Sequence, residues 1–595
     1  MRRKHRHRNR LQSKTGGVLP VFVLAVLITW PVHRAEPTTG PENALKRPQV
    51  TAIQVEGGRA QFSLAGTESA GRYLVVSSAF AHKGGPFPIR LTARPSSVWT
   101  PPTEATLPAR PNRERSASPA SSTTIEPPPL PPSERTFSLL VKDGDPASPG
   151  NYAAVTARLR AVGLHVQVYV ATEDESQVSA DTLRDLVATF DREVWPKANR
   201  MFGTARDVDQ DGRFTVLLTG WLGRFASGRQ PLDGFVRGAD FDRKIRAPLG
   251  NGCDILYLNA ALKTGPHLRT ILAHEYTHAV VFSRKVLDAP GTDDHRDEED
   301  WLDEALAHLV EDQHGFSRSN LEHRVSAFLT NPERYRLIVE DYFRGNLFRS
   351  HGHRGAAYLF LRWCQDNYGP ELLPTLVTSQ KKGVSNVESA TGEAVETLFR
   401  RWSVDLVGMP VWSPDVVKTD AKEGLPTLHW ITPGGETDCW SAEATTTHFT
   451  VVEMAESGVV EVNISAPCDA NLQVSLIPLP DNYPRLELQP VSQQEITNPG
   501  SVNLVHAGGM TVQISSVRFE PLLVHSRATN SQGILEYTQD ELDQVFGPDH
   551  RLQPGTTIAL EPPLSHPKFN TPHRLVVQAT DPRGCPVTVQ AEFTP

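Results

Sequence analysis

Apolar residues recur at helical spacing in two stretches near the middle of the chain. In the first stretch, 268–282, they fall three or four positions apart, and Thr264 with Pro266 supplies a helix start. The second stretch begins at Trp301, after an acidic turn that suits the positive end of a helix dipole, and stops near Gly315. We expect two helices here, on either side of the acidic loop 293–300.

The patterns around these helices predict a mixed β/α lobe followed by a helical lobe. Apolar runs indicate strands over 165–171, 213–218 and 254–259, and helical spacing indicates helices over 158–163, 180–199, 356–368 and 394–407. Residues 316–410 are mostly helical in this prediction. A cleft between two such lobes is a common place for a ligand site.

After Pro410 the pattern changes to period-two runs in a background rich in Thr, Val, Pro and Gly. These runs, at 450–452, 459–464, 511–514 and 575–579, predict one or two β-sandwich modules over 412–595. Such modules are accessory to a catalytic core. They either stabilise and space it or attach it to a substrate or a cell surface, and the pattern leaves both roles open.

The first 135 residues divide into three parts by composition. Residues 1–36 combine a basic start with the apolar run 18–30, which is typical of a signal peptide, although an uncleaved N-terminal membrane anchor is the alternative. Residues 37–100 contain short alternating stretches that form either a small β unit or a poorly ordered pro-region. The segment 101–135, rich in Pro and Ser, reads as a linker. We therefore expect an exported protein.

Charge and cysteine content exclude several classes of protein. The chain has 595 residues, too many for a single core, a net charge of −8, and a basic cluster only in its leader, so nothing indicates a nucleic-acid partner. Five cysteines are too few for a disulfide scaffold. Cys439 and Cys468 are candidates for one bridge, whereas Cys253 and Cys364 have apolar neighbours and are predicted to be buried thiols.

The first central helix carries the pattern His-Glu-Tyr-Thr-His at 274–278. Two histidines at i and i+4 lie on one helix face, about 6 Å apart along the axis, so both imidazoles can reach one ion at roughly 2.0–2.1 Å. Glu275 then stands beside the metal, where it can act on a bound water. His274 and His278 are therefore predicted zinc ligands, and Glu275 is the predicted catalytic base.

The second central helix offers the third ligand. A catalytic zinc site needs one more protein ligand and an open position for water. A carboxylate from the following helix completes the His₂Glu donor set, and Glu304, in the run Trp-Leu-Asp-Glu-Ala-Leu-Ala-His at 301–308, is the predicted ligand.

These two motifs resemble those of the gluzincin metallopeptidases, in which a downstream W-L-x-E-(G/A)-(L/F)-A helix carries the glutamate ligand. Further segments are similar to the hyicolysin-like secreted neutral metallopeptidases, among them 190–191, 195–196, 202–203, 207–212, 215–219 and 355–360. The resemblance covers about 136–410. It implies a multidomain α+β protein with a thermolysin-like two-lobed metallopeptidase core over 136–411. It also implies that the strand 254–259 lines the cleft.

The sequence departs from the thermolysin-like pattern after Glu304. Where those relatives carry an aspartate that orients a zinc-bound histidine, this chain has His308. His308 and Glu311 lie on the face of Glu304. Each is therefore a candidate for supporting the ligands, His308 could also be an additional ligand, and the alternative for both is a solvated helix face.

The resemblance also implies a downstream Tyr or His that stabilises the oxyanion. The candidates are His351, His353 and Tyr358, and Tyr358 fits equally well as a core aromatic residue of the helix 356–368.

The stretch 207–212 imitates half of a calcium-binding loop. Asp207, Asp209 and Asp211 stand at positions 1, 3 and 5 and Gly212 at position 6, but Leu218 replaces the glutamate expected at position 12. This leaves a partial Ca²⁺ loop or a plain turn before the strand 213–218. The acidic loop 293–300 is a weaker candidate for Ca²⁺, with a solvated charge run as its default interpretation.

The prediction as a whole is an exported zinc peptidase that acts on protein or peptide substrates. We favour an endopeptidase, because the chain lacks the G-x-M-E-N segment with which aminopeptidases of this clan hold a free amine. An aminopeptidase is the alternative enzyme. A noncatalytic surface-binding protein with a structural metal site is the alternative from another class. Membrane attachment would occur only through an uncleaved leader.

Overall fold

The computed structural model describes most of the chain beyond its first 49 residues. The described ranges are 50–65, 71–81, 83–108, 130–142, 145–228, 231–287, 297–342, 344–345, 347, 349–407, 426–434, 437–454, 458–479, 485–490, 502–508, 511–521, 535–561, 573–580 and 586–593. The predicted leader 1–36, most of the predicted linker and the first half, 293–296, of the acidic loop lie outside them. Within these ranges, we find no helix with the length and apolar character needed to span a membrane.

The structure is mixed α+β, with several sheets and helices. The strands are β1 (Thr51–Ile53), β2 (Arg59–Ala65), β3 (Arg72–Ala79), β4 (Phe87–Ser96), β5 (Glu134–Leu140), β6 (Tyr152–Val162), β7 (Val166–Ala171), β8 (Phe214–Thr219), β9 (Gly234–Val236), β10 (Ile255–Asn259), β11 (His429–Ile431), β12 (Thr437–Ala442), β13 (Thr446–Glu453), β14 (Val459–Ser465), β15 (Leu472–Leu479), β16 (Arg485–Pro490), β17 (Val502–Gly508), β18 (Val512–Pro521), β19 (Leu535–Glu536), β20 (Arg551–Leu552), β21 (Thr557–Leu560), β22 (His573–Thr580) and β23 (Pro586–Phe593).

All but one of the described α-helices lie in the middle of the chain, between residues 180 and 405. They are α1 (Ala180–Thr189), α2 (Trp195–Met201), α3 (Trp221–Arg224), α4 (Gly238–Phe241), α5 (Pro266–Phe282), α6 (Asp300–His314), α7 (Ser319–Thr330), α8 (His351–Tyr368), α9 (Leu372–Thr378), α10 (Gly383–Thr391), α11 (Val395–Asp405) and α12 (Gln539–Phe546). A π-helical turn, Phe190–Val194, joins α1 to α2, so the predicted helix over 180–199 is one continuous helical run.

A mixed six-stranded sheet supports the candidate site. Its order is β5-β6-β7-β8-β10-β9, with β7, β8 and β10 parallel and β9 an antiparallel edge strand. The three parallel strands are buried along their whole lengths, as expected for central strands covered on both faces. One face of the sheet packs on helices that include α1 and α5. The other face buries a smaller core, to which β5 and β6 also contribute side chains.

The predicted helix over 158–163 is wrong, because these residues form the end of β6 and the turn after it. Along β6 the burial alternates, with Val155 and Ala157 inside and Arg158 and Arg160 outside. This period of two is the signature of a strand with one solvated face. A stretch of six residues is too short to distinguish the helical period of 3.6 from the strand period of 2.

The strands that precede and follow the six-stranded sheet and its helices come from two distant segments and share one β-sandwich. One sheet has the order β1-β15-β3-β13-β11 and the other β12-β4-β14-β2, and buried side chains from both form one core. The sequence analysis placed 37–100 and 412–595 in separate units. In the structure, the strands of 51–96 pair with those of 429–479. Alternation identifies a strand, but its partner depends on contacts between distant residues.

Residues 485–593 build a further unit. Its sheets have the orders β16-β17-β21 and β19-β18-β22-β23, with β20 also paired to β18, around one core. We predicted only β-sandwich modules here, but this unit also contains a helix, α12, which packs on its core. This helix begins with a capping box, in which Thr538 and Glu541 satisfy each other's backbone N–H groups.

The predicted disulfide between Cys439 and Cys468 is wrong, since both side chains are free thiols. Cys439 lies on β12 and Cys468 follows β14, and β4 runs between these two strands. Two strand spacings amount to roughly 10 Å, beyond the reach of a disulfide. Cys253 and Cys364 are buried thiols, as predicted.

Candidate active site

The two histidines of the first motif lie on α5, which crosses the molecule between the sheet and the helical lobe. Gly265 precedes the helix with φ 137°, and Pro266 occupies its first turn, where a missing N–H costs nothing. Most of α5 is buried on every side, and His274 and Glu275 are only 6% and 7% exposed. The helix backbone and its packing therefore hold both side chains in place.

His274, His278 and Glu304 converge on one point. The Nε2 atoms of the two histidines are 3.1 Å apart, and Glu304 Oε2 lies 3.6 Å from His274 Nε2. Ligands at 2.0–2.1 Å from a tetrahedral ion are separated by roughly 3.3 Å. The three donor atoms therefore have the spacing of a His₂Glu metal site.

The partners of the two Nδ1 atoms support the same interpretation. His274 Nδ1 donates to Glu311 Oε1 at 2.6 Å, and His278 Nδ1 donates to Asp303 Oδ2 at 2.7 Å. Each carboxylate therefore fixes a tautomer that leaves the lone pair on Nε2, where a metal would bind.

Glu304 adds a buried acceptor that lacks a protein partner. Its Oε2 has no hydrogen-bond partner among the described residues, while its Oε1 forms an ion pair with Arg354 Nη2 at 2.7 Å. Two lone-pair nitrogens and an unpartnered carboxylate oxygen facing one point call for a cation. The residues present thus fit a catalytic zinc ion, which prefers this donor set with one open position.

Asp303 is a functional residue that the sequence analysis missed. The thermolysin-like pattern has the orienting carboxylate one turn after the glutamate ligand, where this chain has His308. The structure uses the residue directly before Glu304, because α6 crosses α5 at an angle that lets Asp303 and Glu304 reach different histidines. In the sequence, the acidic residue directly before the predicted ligand was the signal that could have indicated this orienting role.

His308 and Glu311 lie behind the three donors, both fully buried. Glu311 Oε1 accepts from His274 and from His308 Nδ1, at 2.6 and 2.8 Å, and His308 Nε2 lies 3.5 Å from Glu304 Oε2. Burial, assisted by the charge of Arg324, lowers the pKa of His308 to about 3. His308 is therefore a neutral group that supports the ligands from the protein side, away from solvent.

Glu275 stands at the wall of the cleft beside these donors. Burial raises the pKa of its carboxyl group above the ordinary value, although the neighbouring His274 and His278 act in the opposite direction. Gly234 on β9 lies so close that a Cβ there would be 2.9 Å from Glu275 Cγ. Edge strand β9 and the predicted base are therefore in direct contact.

The cleft has a volume of about 700 Å³. Its walls are the edge strand β9, helices α5 and α6, and the residues around the start of α8. The sequence analysis expected the strand 254–259 at the cleft, but that strand is β10, one place further inside the sheet. Among the described strands, β9 pairs only with β10, and its other edge faces the cleft, where an extended peptide can pair with it.

The structure brings only one of the three predicted oxyanion-stabilising residues to this cleft. His351 lines it, whereas Tyr358 is buried and its hydroxyl lies 3.0 Å from Arg362 Nη1. His353 is also buried, and its Nδ1 lies 2.6 Å from Ser350 Oγ. The position of Tyr358 therefore matches its interpretation as a core aromatic residue. Arg354, which the sequence analysis overlooked, lines the cleft one turn after His351.

The chain is 22% identical over 252 residues to the neutral metalloprotease ShpI of Staphylococcus hyicus, in an alignment that spans 40% of this chain and 54% of that protein. The similarity supports a metallopeptidase. The chain spans about half the length of that relative. No protein-family model matches the chain.

The predicted calcium loop of this metallopeptidase candidate uses its carboxylates partly for its own backbone. Asp207 accepts from the N–H groups of residues 211 and 212, and Asp211 accepts from Gln167. Asp209 pairs with Arg135, yet its Oδ1 is buried without a hydrogen-bond partner in the described part of the chain. Asp254 joins Asp207 and Asp209 to form a group that could hold a cation. The calcium site stays a prediction, with Asp254 in the place expected for Asp211.

Proposed function

We propose that this protein is an exported zinc-dependent endopeptidase. The observation that carries the proposal is the convergence of His274, His278 and Glu304 beside Glu275, in a cleft bounded by the free edge of β9. The distant similarity to a neutral metalloprotease supports the same reaction class. The apolar run 18–30 after a basic start is the support for export.

The substrate in this proposal binds as an added strand along β9. An extended peptide pairs with the backbone of 234–236, which places its scissile carbonyl over the three converging donors. Backbone pairing of this kind requires no free terminus, which favours cleavage inside a chain.

Glu275 carries the proton transfers. Held by His274, His278 and Glu304, a zinc ion would supply Lewis acidity, which would ease deprotonation of the attacking water near neutral pH and polarise the peptide carbonyl. The Glu275 carboxylate accepts the proton of the attacking water and then donates it to the leaving nitrogen. Its raised pKa suits this exchange, because a base close to the working pH both accepts and releases a proton readily.

Arg354 and His351 are the candidate donors to the developing oxyanion. Both line the cleft near Glu304, and Arg354 is anchored there by its ion pair with that residue. A fixed cationic donor at such a position stabilises charge that appears only in the transition state.

The test compares full-length wild type with Glu275→Gln, measuring zinc content and cleavage of unfolded casein on the same samples. We expect about one zinc at this site in both proteins, and chelator-sensitive cleavage only in wild type. Equal cleavage by the two proteins would refute the role of Glu275. Zinc in both with cleavage in neither would support a noncatalytic binding protein instead.

A second comparison separates endopeptidase from aminopeptidase activity. Peptides with free and acetylated N-termini are offered to the wild-type enzyme at equal concentration. An endopeptidase cleaves both at similar rates. Loss of cleavage on acetylation would establish the aminopeptidase alternative.

A further inference from the structure

A second group of potential metal ligands lies where the helical lobe meets the β-sandwich. It consists of His429 on β11, His448 on β13 and Glu333, which follows α7. Strand β11 pairs in parallel with β13, with His429 opposite Thr450. Since His448 precedes Thr450 by two residues, both histidines project from the same face of the sheet, and their ring centroids are 4.2 Å apart.

His448 is held in a single tautomer. Its side chain is 1% exposed, and its Nε2 donates to Asp438 Oδ2 at 2.9 Å. The same oxygen accepts from Thr450 Oγ1 at 2.7 Å, and the ring of Trp440 stacks on the imidazole with centroids 4.0 Å apart. A neutral His448 with its proton on Nε2 therefore carries the lone pair on Nδ1, in the carboxylate–imidazole arrangement that supports metal-binding histidines.

His448 Nδ1 lacks a partner that satisfies it. It is buried and has no hydrogen-bond partner among the residues described, although Glu333 Oε2 faces it at 3.8 Å. This distance is too long for a hydrogen bond, and either a proton on Nδ1 or a bound cation would fill the gap between the two atoms. Two acceptors that face each other in a buried place leave room for a cation between them.

We propose that Glu333, His429 and His448 bind a second divalent ion of the zinc class. Two imidazoles and a carboxylate form a donor set that zinc prefers. The three donor atoms lie within 4.8 Å of one another. Side-chain rotations that move them by roughly 1 Å would bring them to the spacing of tetrahedral ligands. With Asp438 behind His448, two carboxylates offset the charge of the ion.

The position of this site indicates a structural role. None of its ligands lines the cleft. Glu333 begins a segment that docks on the sandwich, with Leu337 N donating to Thr445 O at 3.0 Å, and then reaches the start of α6, where Trp301 N donates to Val339 O. The ion would therefore clamp the sandwich to the segment that supports the helix carrying Glu304.

Metal content tests the proposal independently of peptidase activity. Zinc is measured on full-length protein after dialysis, in wild type, His278→Gln, His448→Ala and the double variant. We expect two equivalents in wild type, one in each single variant and none in the double variant. If His278→Gln retains zinc and the double variant does not, the retained ion occupies the second site. This result does not depend on the peptidase assay.

Two further variants guard against misfolding and nonspecific loss. Glu333→Gln preserves the side-chain volume and should also lower zinc content to one equivalent, with circular dichroism unchanged. His550→Gln changes a histidine of the C-terminal unit that pairs with Asp543, and it should retain two equivalents. One equivalent in wild type with none in His278→Gln would overturn the proposal, as would two equivalents in folded His448→Ala.

A spectroscopic readout gives the coordination directly. Co²⁺ replaces Zn²⁺, and the absorption of the tetrahedral ion is compared between His278→Gln and the double variant. We expect a visible band only in the protein that retains His448. Identical spectra would refute the assignment of this histidine as a ligand.

Discussion

Asp303 Oδ2 accepts a hydrogen bond of 2.7 Å from His278 Nδ1, so the residue directly before the predicted glutamate ligand orients a histidine of the neighbouring helix. Helix α6 thus contributes to the site through two adjacent residues, Asp303 and Glu304. Glu311, further along the same helix, orients His274. All three converging donors therefore depend on how α6 packs against α5.

Replacing Asp303 should weaken metal binding. In Asp303→Asn, the carboxylate that fixes the tautomer of His278 is lost, and we expect zinc affinity to fall by about 10- to 100-fold. Competition with a chelator of known affinity measures this. The matched control is Asp181→Asn, an exposed aspartate on α1, which should leave the affinity unchanged. Equal affinities for Asp303→Asn and wild type would contradict the role of Asp303.

Adding a methyl group at Gly234 should displace the catalytic base. A Cβ there would lie 2.9 Å from Glu275 Cγ, so Gly234→Ala forces Glu275 or β9 to move. We expect kcat to drop by roughly 10-fold or more, because catalysis is sensitive to misplacement of about 1 Å. Zinc content should stay at the wild-type level.

The control for this prediction is Gly150→Ala, since a Cβ at that position meets no neighbour within 4 Å. Its activity should equal that of wild type. A Gly234→Ala enzyme with unchanged kcat would show that the contact between β9 and Glu275 is not tight in solution.

Arg354 and Tyr358, four residues apart on α8, should respond differently to substitution. Arg354→Gln removes a cationic donor from the cleft, and we expect kcat/KM to fall by about 10²-fold. Tyr358→Phe removes a buried hydroxyl that bonds to Arg362 and Asp312, which costs roughly 1–3 kcal/mol of stability. Steady-state kinetics on one peptide and a thermal melt separate the two effects. A large loss of kcat in folded Tyr358→Phe would restore its catalytic interpretation.

Acid should destabilise the protein partly through His353. Burial lowers the pKa of this histidine to about 4, whereas in the unfolded chain it is about 6.5. Between these values the unfolded state binds more protons, so stability falls as the pH falls. The expected loss from His353 between pH 7 and pH 5 is about 2 kcal/mol.

The variant His353→Gln retains a side chain that can bond to Ser350 but cannot titrate. Urea unfolding at pH 7 and pH 5 should show a smaller loss of stability for this variant than for wild type. A variant with the same pH dependence as wild type would mean that His353 titrates normally in the folded protein.

Local interactions explain what the sequence determined by itself. The i, i+4 spacing of His274 and His278 places both on one side of any α-helix, and the acidic start and Gly315 stop of α6 follow from the charges and caps of helix ends. The structure has both helices where the pattern predicted them. The histidine pair was predictable because a helix fixes the positions of neighbouring side chains without help from the rest of the chain, whereas Glu304 stands on another helix.

The tertiary structure decided everything that depends on contacts between distant residues. The pairing of 51–96 with 429–479, the hydrogen bond between Asp303 and His278, and the meeting of Glu333 with His448 join segments that no short window contains. The alternation of β3 and β13 was visible, but many strands share that pattern. Only burial of a common core selects which strands and side chains come together.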